Sequence, residues 1–490
     1  MNFVVITIDT LRYDFLGANG NQEIITPNLD RFAQQATCFD RVYAGSFPTI
    51  PYRTDVFTGR FGEPFHPWAP LSWEAVTLPE VMRNAGYVTM LIHDTPHLVN
   101  YGFGYDRPFH GWEMIRGQEV DRYRTDPVHR SDVKFDPAKM RFPETFGAQS
   151  VRNYFDFNIE EDHCTPRLFQ TATRWLQRNR DHEKFFLWID SFTPHEPWDP
   201  PQHYVDLYDP GYKGDVLTFP EYGSVADWPT DEVKHMRALY SGLVTMVDRW
   251  VGYFLKQLEV MGLAENTAVI IDSDHGTYAG SRSLAGKPAP HYDEIAHLIH
   301  MVRMPGQTEQ RRVQAIVQPP DLMPTILDLA GEQVPAEVEL QGRSTVGAIR
   351  GAEIAGREFA VTGSAIARLP VQGAHAAVTT KEWSLFDFDD PGRRMLFHLS
   401  EDPGQEHNVI ADNSAVAAEL HDALIQFLGE HEASPALIAF WQGEPGAAEK
   451  LNEQFAQDAK DNAYLSGVRR GLGLHPRSFV PAPELVADDR

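Results

Sequence analysis

The sequence is poor in cysteine and has no long apolar run. Cys38 and Cys164 are the only cysteines among 490 residues. Two are too few for a disulfide framework or a four-cysteine zinc site, and this fits a reducing cytoplasm. No apolar run approaches the roughly 18 residues of a membrane span. The first residues also lack the basic region and cleavage site of a signal peptide. We therefore expect a cytoplasmic protein with no membrane contact.

Basic residues are also scarce relative to acidic ones. The chain has 43 Lys and Arg against 69 Asp and Glu, which gives a formal net charge of −26. A protein that binds the phosphate backbone of nucleic acids needs clustered cations, and this sequence has no such cluster. We therefore expect no nucleic-acid partner. An anionic ligand has to be attracted by positive charge close to its own site.

Short β-branched runs alternate with helical periodicity, which predicts an α/β fold. Runs that are apolar on both faces predict strands of a mostly parallel sheet covered on both sides. These runs are residues 3–8, 87–92, 185–189, 268–271 and 298–302. Amphipathic periodicity predicts helices over 166–180 and 231–261. After about residue 360, two short strand patterns and a helix over 414–428 predict a smaller α+β unit.

Acidic residues follow two of these predicted strands. Asp9 follows the run 3–8, and residues 272–276, Asp-Ser-Asp-His-Gly, follow the run 268–271. Carboxylates and a histidine at neighbouring strand ends repel one another unless a divalent cation lies between them. The alternative is that each acid caps the turn after its strand. The Asp-His-Gly tripeptide favours the metal, because adjacent oxygen and nitrogen ligands followed by glycine suit a tight coordinating loop.

Residues 49–59 read Thr-Ile-Pro-Tyr-Arg-Thr-Asp-Val-Phe-Thr-Gly and fit the pattern Cys/Ser/Thr-x-Pro-x-Arg-x4-Thr-Gly. This segment resembles the nucleophile motif of the sulfatase family in the alkaline-phosphatase superfamily. Further segments resemble that family in the same order, so the resemblance covers residues 3 to about 430. They are residues 26–30, 192–197, 273–276, 286–287, 292–294, 305–306 and 396–408. The resemblance implies an alkaline-phosphatase-like mixed sheet, mostly parallel and flanked by helices, with a smaller C-terminal α+β subdomain.

The resemblance also implies three parts of the chain. We expect a catalytic domain at 1–360 and the α+β subdomain at 361–432. Residues 433–490 form a C-terminal extension that either contacts a second copy in a homo-oligomer or stays frayed.

Roles in the site follow from the same resemblance. Thr49 would be the metal-bound nucleophile at a helix start, and Arg53 would support it. His195 would assist the leaving group, and Lys287 would contact oxygens of the transferred group. One divalent ion, Mn, Ca, Zn or Mg, would be held by Asp9, Thr49, Asp274 and His275.

The sequence departs from the family pattern at two positions. Thr10 stands where many relatives have a second metal-binding Asp, and Asp94 stands in place of the lysine of a Gly-Lys-Trp-His element. A two-metal site therefore stays open, with Asp190, His195 or His291 as extra ligands. The roles of His93, Asp94 and His97 stay open as well.

Threonine at the nucleophile position decides the expected chemistry. Ordinary sulfatases oxidise a Cys or Ser there to an aldehyde, whereas oxidation of the secondary alcohol of Thr49 gives a ketone. A metal-activated threonine alkoxide is a sound nucleophile for phosphorus. A single ion matches the one negative charge of a phosphodiester or phosphonate monoester. Cys164 opens a segment that only superficially resembles the nucleophile motif, and we expect a free thiol there.

We therefore expect a metal-dependent hydrolase of small anionic esters, acting on phosphodiesters or phosphonate monoesters through a covalent Thr49 intermediate. One alternative is a sulfatase that uses unmodified Thr49. Another is a sulfatase-like binding protein without catalytic activity.

Overall fold

A computed structural model of the protein describes residues 1–62, 68–128, 136–336, 338–364 and 375–454. The strands within these residues are β1 (Asn2–Ile8), β2 (Thr37–Val42), β3 (Val88–His93), β4 (Gly111–Met114), β5 (Phe185–Ser191), β6 (Gly223–Ser224), β7 (Thr267–Ser273), β8 (Tyr278–Ala279), β9 (Leu284–Gly286), β10 (His300–Arg303), β11 (Arg311–Val317), β12 (Ala360–Ser364), β13 (His375–Thr379), β14 (Trp383–Phe388) and β15 (Met395–His398).

The α-helices are distributed over the same residues, between the strands and after them. They are α1 (Pro27–Ala33), α2 (Thr49–Thr58), α3 (Leu78–Asn84), α4 (Ala148–Tyr154), α5 (Cys164–Asn179), α6 (Gln202–Val205), α7 (Thr230–Val260), α8 (Asp293–Ala296), α9 (Leu322–Ala330), α10 (Val346–Ile349), α11 (Ser414–Glu430) and α12 (Pro435–Trp441). None of the helices described is long and apolar enough to cross a membrane.

Eight strands form the central sheet in the order β11-β2-β10-β7-β1-β5-β3-β4. All seven residues of β1 are buried. Its side chains alternate between two cores: Val4, Ile6 and Ile8 pack on the α1, α5 and α7 side, and Phe3 and Val5 pack on the α2 and α9 side. The doubly covered sheet predicted from the apolar runs is therefore confirmed.

One strand of the central sheet runs antiparallel to its neighbours. The predicted run 298–302 forms β10, which pairs antiparallel with both β2 and β7. The other pairs of the central sheet are parallel. The sheet is therefore mixed and mostly parallel. The predicted helices 166–180, 231–261 and 414–428 correspond to α5, α7 and α11.

The C-terminal part has its own antiparallel sheet, in the order β12-β13-β14-β15. Helix α11 packs on it through Leu424 and Leu428, against Val378 and Leu385. This is the predicted smaller α+β unit. Helix α12, inside the predicted extension, places Trp441 in the same core. Residues 455–490 of that extension lie outside the described residues, and the boundaries at 360 and 432 stay predictions.

The register of the sheet places the acidic strand ends side by side. Strands β1 and β7 are parallel neighbours, with Ile8 opposite Ser273. Asp9 follows Ile8 and Asp274 follows Ser273, so both carboxylates emerge at the same edge of the sheet. On the other side of β1, β5 carries Asp190 opposite Thr7. Three acids from three adjacent strands therefore meet at the carboxyl end of the sheet, where open α/β sheets place their ligands.

A buried carboxylate of α7 fixes the start of α1. Asp248 accepts hydrogen bonds from the backbone N–H groups of Asn28 (3.0 Å) and Leu29 (2.7 Å) and from the Asn28 side-chain amide (2.8 Å). The first N–H groups of a helix have no partner within the helix, so Asp248 supplies acceptors that α1 lacks. This contact ties the segment after β1 to the longest helix.

We expect Asp248→Ala to lower the free energy of unfolding by about 2–4 kcal/mol, because each buried donor left without a partner costs about 1–3 kcal/mol. Urea denaturation measures this loss. Glu259→Ala is the matched control on the same helix, since its exposed carboxylate pairs with Lys256 alone among the described cations. The control should change stability by less than about 0.5 kcal/mol. Equal, small losses in both variants would contradict the assigned role of Asp248.

Candidate active site

Asp9, Asp274 and His275 form a buried group at the carboxyl ends of β1 and β7. One ligand atom from each lies within 4.8 Å of the others. Gly276 makes the tight turn after His275 possible, because a Cβ at this position would lie 1.9 Å from the carbonyl oxygen of Glu294. The sequence-based expectation that the Asp-His-Gly tripeptide lies beside Asp9 therefore agrees with the geometry.

Arg53 of α2 contacts three buried carboxylates. Its guanidinium makes a two-pronged ion pair with Asp190, through Nε (3.1 Å) and Nη2 (2.8 Å). Nη1 lies 3.2 Å from Asp9 Oδ2 and also contacts Asp274 Oδ2. One positive charge thus faces three negative charges in a region shielded from water, and their mutual repulsion is only partly balanced.

The imidazole of His275 is oriented with one nitrogen toward these acids. Nδ1 lies 3.1 Å from the carbonyl oxygen of Gly276, to which it donates. Nε2 is then the unprotonated nitrogen, and it lies 3.7 Å from Asp9 Oδ1 and 3.6 Å from Asp274 Oδ2. Burial lowers the pKa of His275 to about 4, so the ring is neutral at pH 7. This is the protonation pattern of a metal-binding histidine.

The chemistry of these donors fits a divalent cation. Burial and the neighbouring Asp274 carboxylate raise the pKa of Asp9 well above its ordinary value. Asp9 Oδ2 is buried and accepts no hydrogen bond. Two carboxylates and a nitrogen lone pair face one another with too little positive charge between them. A bound divalent ion removes this repulsion, and oxygen and imidazole ligands are ones that such ions accept.

Thr49 is the first residue of α2 and lies against this group. Its Oγ1 is 3.3 Å from His275 Nε2. The N-cap position is occupied by Pro48, which makes no capping hydrogen bond. The Thr49 hydroxyl lies at the start of α2 and contacts His275, one of the candidate metal ligands.

Lys287 and His195 form a second cluster beside the first. Lys287 Nζ lies 2.9 Å from His195 Nε2, 2.9 Å from Glu196 Oε2 and 3.1 Å from the hydroxyl of Tyr222. Burial alone lowers the pKa of a lysine, but the Glu196 carboxylate outweighs it and raises the pKa of Lys287 above its ordinary value. Burial and Lys287 together lower the pKa of His195, so a neutral ring accepts a hydrogen bond from the ammonium.

The two clusters are adjacent. The ring centroids of His195 and His275 are 6.4 Å apart. Nδ1 of His195 donates to the carbonyl oxygen of Glu196 at 2.6 Å, which leaves Nε2 as the nitrogen that accepts from Lys287. The geometry thus brings all the candidate residues together: Asp9, Thr49, Arg53, His195, Asp274, His275 and Lys287.

Thr10 supports the acids. Its Oγ1 donates to Asp9 Oδ1 (2.7 Å), and its backbone N–H donates to Asp274 Oδ1 (2.9 Å). Its φ of 61° lies in the left-handed region, which is strained for a β-branched residue. Thr10, which stands where many relatives have a metal-binding Asp, therefore positions two carboxylates.

His93, Asp94 and His97, whose roles the sequence left open, contact neighbouring segments near the end of β3. Asp94 accepts a hydrogen bond from the Phe192 backbone N–H at 2.6 Å, at the start of the loop that carries His195. His93 is buried and donates from Nδ1 to the Thr95 carbonyl oxygen at 3.0 Å. His97 lies 3.1 Å from Glu119 Oε2, and its ring contacts Phe192.

The two-metal alternative finds no matching ligand group in the described part of the chain, where the Asp9 group is the one set of three or more candidate ligands. Asp190 forms an ion pair with Arg53 and accepts a hydrogen bond from the Thr95 hydroxyl at 2.5 Å. His291 packs against Phe47, with ring centroids 4.1 Å apart, and its backbone N–H donates to His375 Nε2. Neither side chain joins the Asp9 group.

The cysteines lie away from the nucleophile position. Cys38 and Cys164 are both free and buried. Cys164 opens α5, and burial raises the pKa of its thiol well above the ordinary value. The expected free thiol of Cys164 is consistent with this setting.

Sequence reasoning missed Glu196 and Tyr222 as partners of Lys287. Glu196 lies between His195 and Pro197 in the segment 192–197 that resembles the family. Its charge next to a histidine was the available signal. Tyr222 lies in a segment without periodicity, so its sequence neighbours gave no signal.

Comparisons with known proteins bear on the family and on the fold. The family model described as Sulfatase matches residues 1–332, and the model described as N-sulphoglucosamine sulphohydrolase, C-terminal, matches residues 290–430. An arylsulfatase of Clostridium perfringens is 27% identical over 474 residues, covering 87% of this chain and 93% of its own. The multifunctional alkaline phosphatase superfamily protein PehA of Trinickia caryophylli is 25% identical, covering 70% of this chain and 76% of its own.

A solved structure shares the fold. The phosphonate monoester hydrolase of Agrobacterium radiobacter superimposes with a TM-score of 0.70 at 22% identity, covering 88% of this chain and 96% of that one. Its likeness supports the architecture described above.

We expect Asp94→Asn to be tolerated and to become more favourable as the pH rises. Burial raises the pKa of Asp94 from the ordinary value of 3.8 to about 7. The folded protein therefore binds this proton more tightly than the unfolded chain, and the stabilisation is lost as the pH rises through that interval. Asparagine keeps an acceptor for the Phe192 N–H and does not titrate.

Urea denaturation of both proteins at about pH 5 and about pH 8 measures this effect. The stability of Asp94→Asn relative to the native protein should rise by at least about 1.4 kcal/mol, the equivalent of one pKa unit. Asp181→Asn, at an exposed position, is the control. The prediction is wrong if both variants follow the native protein across this pH range.

Proposed function

Because this chain belongs to the sulfatase family, we propose that it is a metal-dependent hydrolase that cleaves phosphodiesters or phosphonate monoesters with unprocessed Thr49 as its nucleophile. The family and its relatives establish a hydrolase of phosphoric or sulfuric esters. The choice of phosphorus, the role of each residue and the covalent intermediate are the proposal.

The position of the Thr49 hydroxyl carries this proposal. Oγ1 lies 3.3 Å from His275 Nε2, at the edge of the Asp9 and Asp274 carboxylates. The side chain at this position yields no aldehyde on oxidation. An intact hydroxyl is therefore the nucleophile that the chain offers, and it forms an ester directly with the group it attacks.

Asp9, Asp274, His275 and the Thr49 oxygen would hold a divalent ion, which would supply Lewis acidity that lowers the pKa of the hydroxyl and offsets charge on the transferred group. Arg53 holds the carboxylates in place through its three ion pairs. Lys287, with its ammonium facing His195, offsets charge on the oxygens of the transferred group.

The Lys287–His195 pair donates a proton to the leaving group and recovers one from water. One proton lies between Nζ and Nε2, across 2.9 Å. Thr49 attacks as its alkoxide, the bond from phosphorus to the leaving oxygen breaks, and this pair donates its proton to that oxygen. Water then attacks the phosphorus of the Thr49 ester, the pair recovers a proton from the water, and the bond from phosphorus to Thr49 Oγ1 breaks, which returns Thr49 to its alkoxide.

A sulfatase that uses unmodified Thr49 is the second candidate, and the arylsulfatase relative favours it. We prefer phosphorus because attack of water on the phosphorus atom releases the bound group from a threonine ester. Sulfatases with an aldehyde hydrate release sulfate by cleaving a C–O bond instead, and Thr49 does not provide that hydrate.

A side-by-side assay of 4-nitrophenyl sulfate, bis(4-nitrophenyl) phosphate and 4-nitrophenyl phenylphosphonate tests the proposal. We expect kcat/KM for the two phosphorus esters to exceed that for the sulfate, because Thr49 forms a hydrolysable phosphoester. Assays with Mn, Ca, Zn and Mg added after chelation identify the ion. Faster turnover of the sulfate would establish the sulfatase alternative, and no turnover with any ion would support a binding protein.

We expect Thr49→Ala to abolish turnover while lowering the free energy of unfolding by only about 1 kcal/mol, roughly the value of one buried methyl group. The N-cap residue is Pro48, so the substitution removes no capping residue from α2. Thr49→Ser, which keeps a hydroxyl, should retain part of the activity. Near-normal turnover of Thr49→Ala, in protein shown to be folded by circular dichroism, would identify another nucleophile.

A further inference from the structure

Arg141 stacks on the ring whose hydroxyl binds Lys287. The guanidinium carbon of Arg141 is 3.9 Å from the ring centroid of Tyr222, and the Tyr222 hydroxyl is 3.1 Å from Lys287 Nζ. Two cations thus contact one aromatic ring, one on its face and one at its hydroxyl. None of the roles assigned above uses Arg141.

The backbone holds this stack in place from both sides. Arg141 N–H donates to the Phe219 carbonyl oxygen (3.0 Å), and Glu221 N–H donates to the Lys139 carbonyl oxygen (2.9 Å). These bonds pair the segment that carries Arg141 with the segment that leads to Tyr222. On the other side, Gly286 has a φ of 70°, and a Cβ there would lie 2.0 Å from a ring carbon of Tyr222. Only glycine allows the ring to lie this close to Lys287.

The charges of the two cations are balanced differently. Lys287 has a carboxylate partner in Glu196. Arg141 contacts two aromatic rings, those of Tyr222 and Phe142, and pairs with no carboxylate in the described part of the chain. In a protein with a net charge of −26, an arginine beside the reaction centre without an acidic partner is available to an anion from outside. A guanidinium stacked flat on a ring still presents its N–H donors along its edge.

We propose that Arg141 is a specificity-determining residue that binds a carboxylate on the leaving group of the substrate. The inference rests on the proposed function, in which Lys287 and His195 face the leaving oxygen. Arg141 lies across one tyrosine ring from Lys287, the residue that the proposed function places beside the leaving oxygen. Arginine binds carboxylates with two parallel hydrogen bonds, which gives both affinity and orientation. The substrate class is then an ester of a carboxylate-bearing alcohol or phenol.

Two pairs of probes test the proposal. The first pair is a 4-nitrophenyl ester and its counterpart with a carboxylate on the nitrophenyl ring, both carrying the reacting group preferred in the assay above. The second pair is benzenesulfonate and 3-sulfobenzoate, which are stable to hydrolysis and whose binding is measured by calorimetry. Variants are Arg141→Gln and Arg141→Lys. The control is Arg393→Gln, which removes an arginine stacked on Phe388 at 4.5 Å in the C-terminal subdomain.

We expect the native protein to prefer the carboxylated member of each pair. Arg141→Gln should reduce this preference about tenfold, in the ratio of KM values and in the ratio of dissociation constants, as loss of one charged contact implies. Arg141→Lys should keep part of the preference, and Arg393→Gln all of it. A purely structural role of Arg141 predicts instead that both members of each pair weaken equally.

Failure of the inference and failure of the proposed function give different results. An unchanged preference in Arg141→Gln, equal weakening of both members, or no preference in the native protein overturns the role of Arg141. A native protein that hydrolyses neither ester but binds 3-sulfobenzoate through Arg141 overturns the proposed function and supports the anion site.

Discussion

The arrangement of the site depends on the convergence of Asp9, Asp190 and Asp274 on the single guanidinium of Arg53. Three adjacent parallel strands deliver these acids to one edge of the sheet, so their proximity is a consequence of register. One guanidinium does not balance three carboxylates whose side chains are all buried. The fold therefore carries a shortage of positive charge at the point where His275 offers an unprotonated nitrogen, and a divalent cation is the group that matches it.

A second charge arrangement lies beside the first and is balanced within the protein. Lys287 has Glu196 as its partner and also hydrogen-bonds to His195. Because Glu196 offsets its charge, Lys287 stays protonated despite burial, and the neutral His195 ring stays available to accept a proton. The Thr49 hydroxyl contacts His275 in the cluster that lacks positive charge, and the ring of His195 in the second cluster lies 6.4 Å from that of His275. In the proposed function, activation of the nucleophile and transfer of the proton are therefore assigned to different clusters.

The sequence predicted those parts of the structure that depend on local pattern. Buried runs predicted the strands, and acids placed directly after two of them predicted Asp9 and Asp274 as neighbours. The antiparallel direction of β10 was not predictable, because an apolar run carries no information on strand direction. The role of Asp94 was not predictable either, since a backbone N–H 98 residues away, that of Phe192, decides it. The partners of Lys287 depend on non-periodic loops whose pairing arises only in the folded chain.

The loops around Tyr222 are held differently from the residues of the proposed metal site. Asp9, Asp274 and Thr49 lie at two strand ends and at a helix start, where backbone geometry leaves little freedom. Tyr222 and Arg141 are held by a short pairing of two loop segments and by the absence of a side chain at Gly286. If the proposed role of Arg141 holds, a substitution in those segments changes the charge next to the leaving group, whereas the acids of the sheet keep their own contacts with Arg53. Under the proposal, selectivity for the leaving group can therefore change while the proposed nucleophile, cation site and proton carrier stay the same.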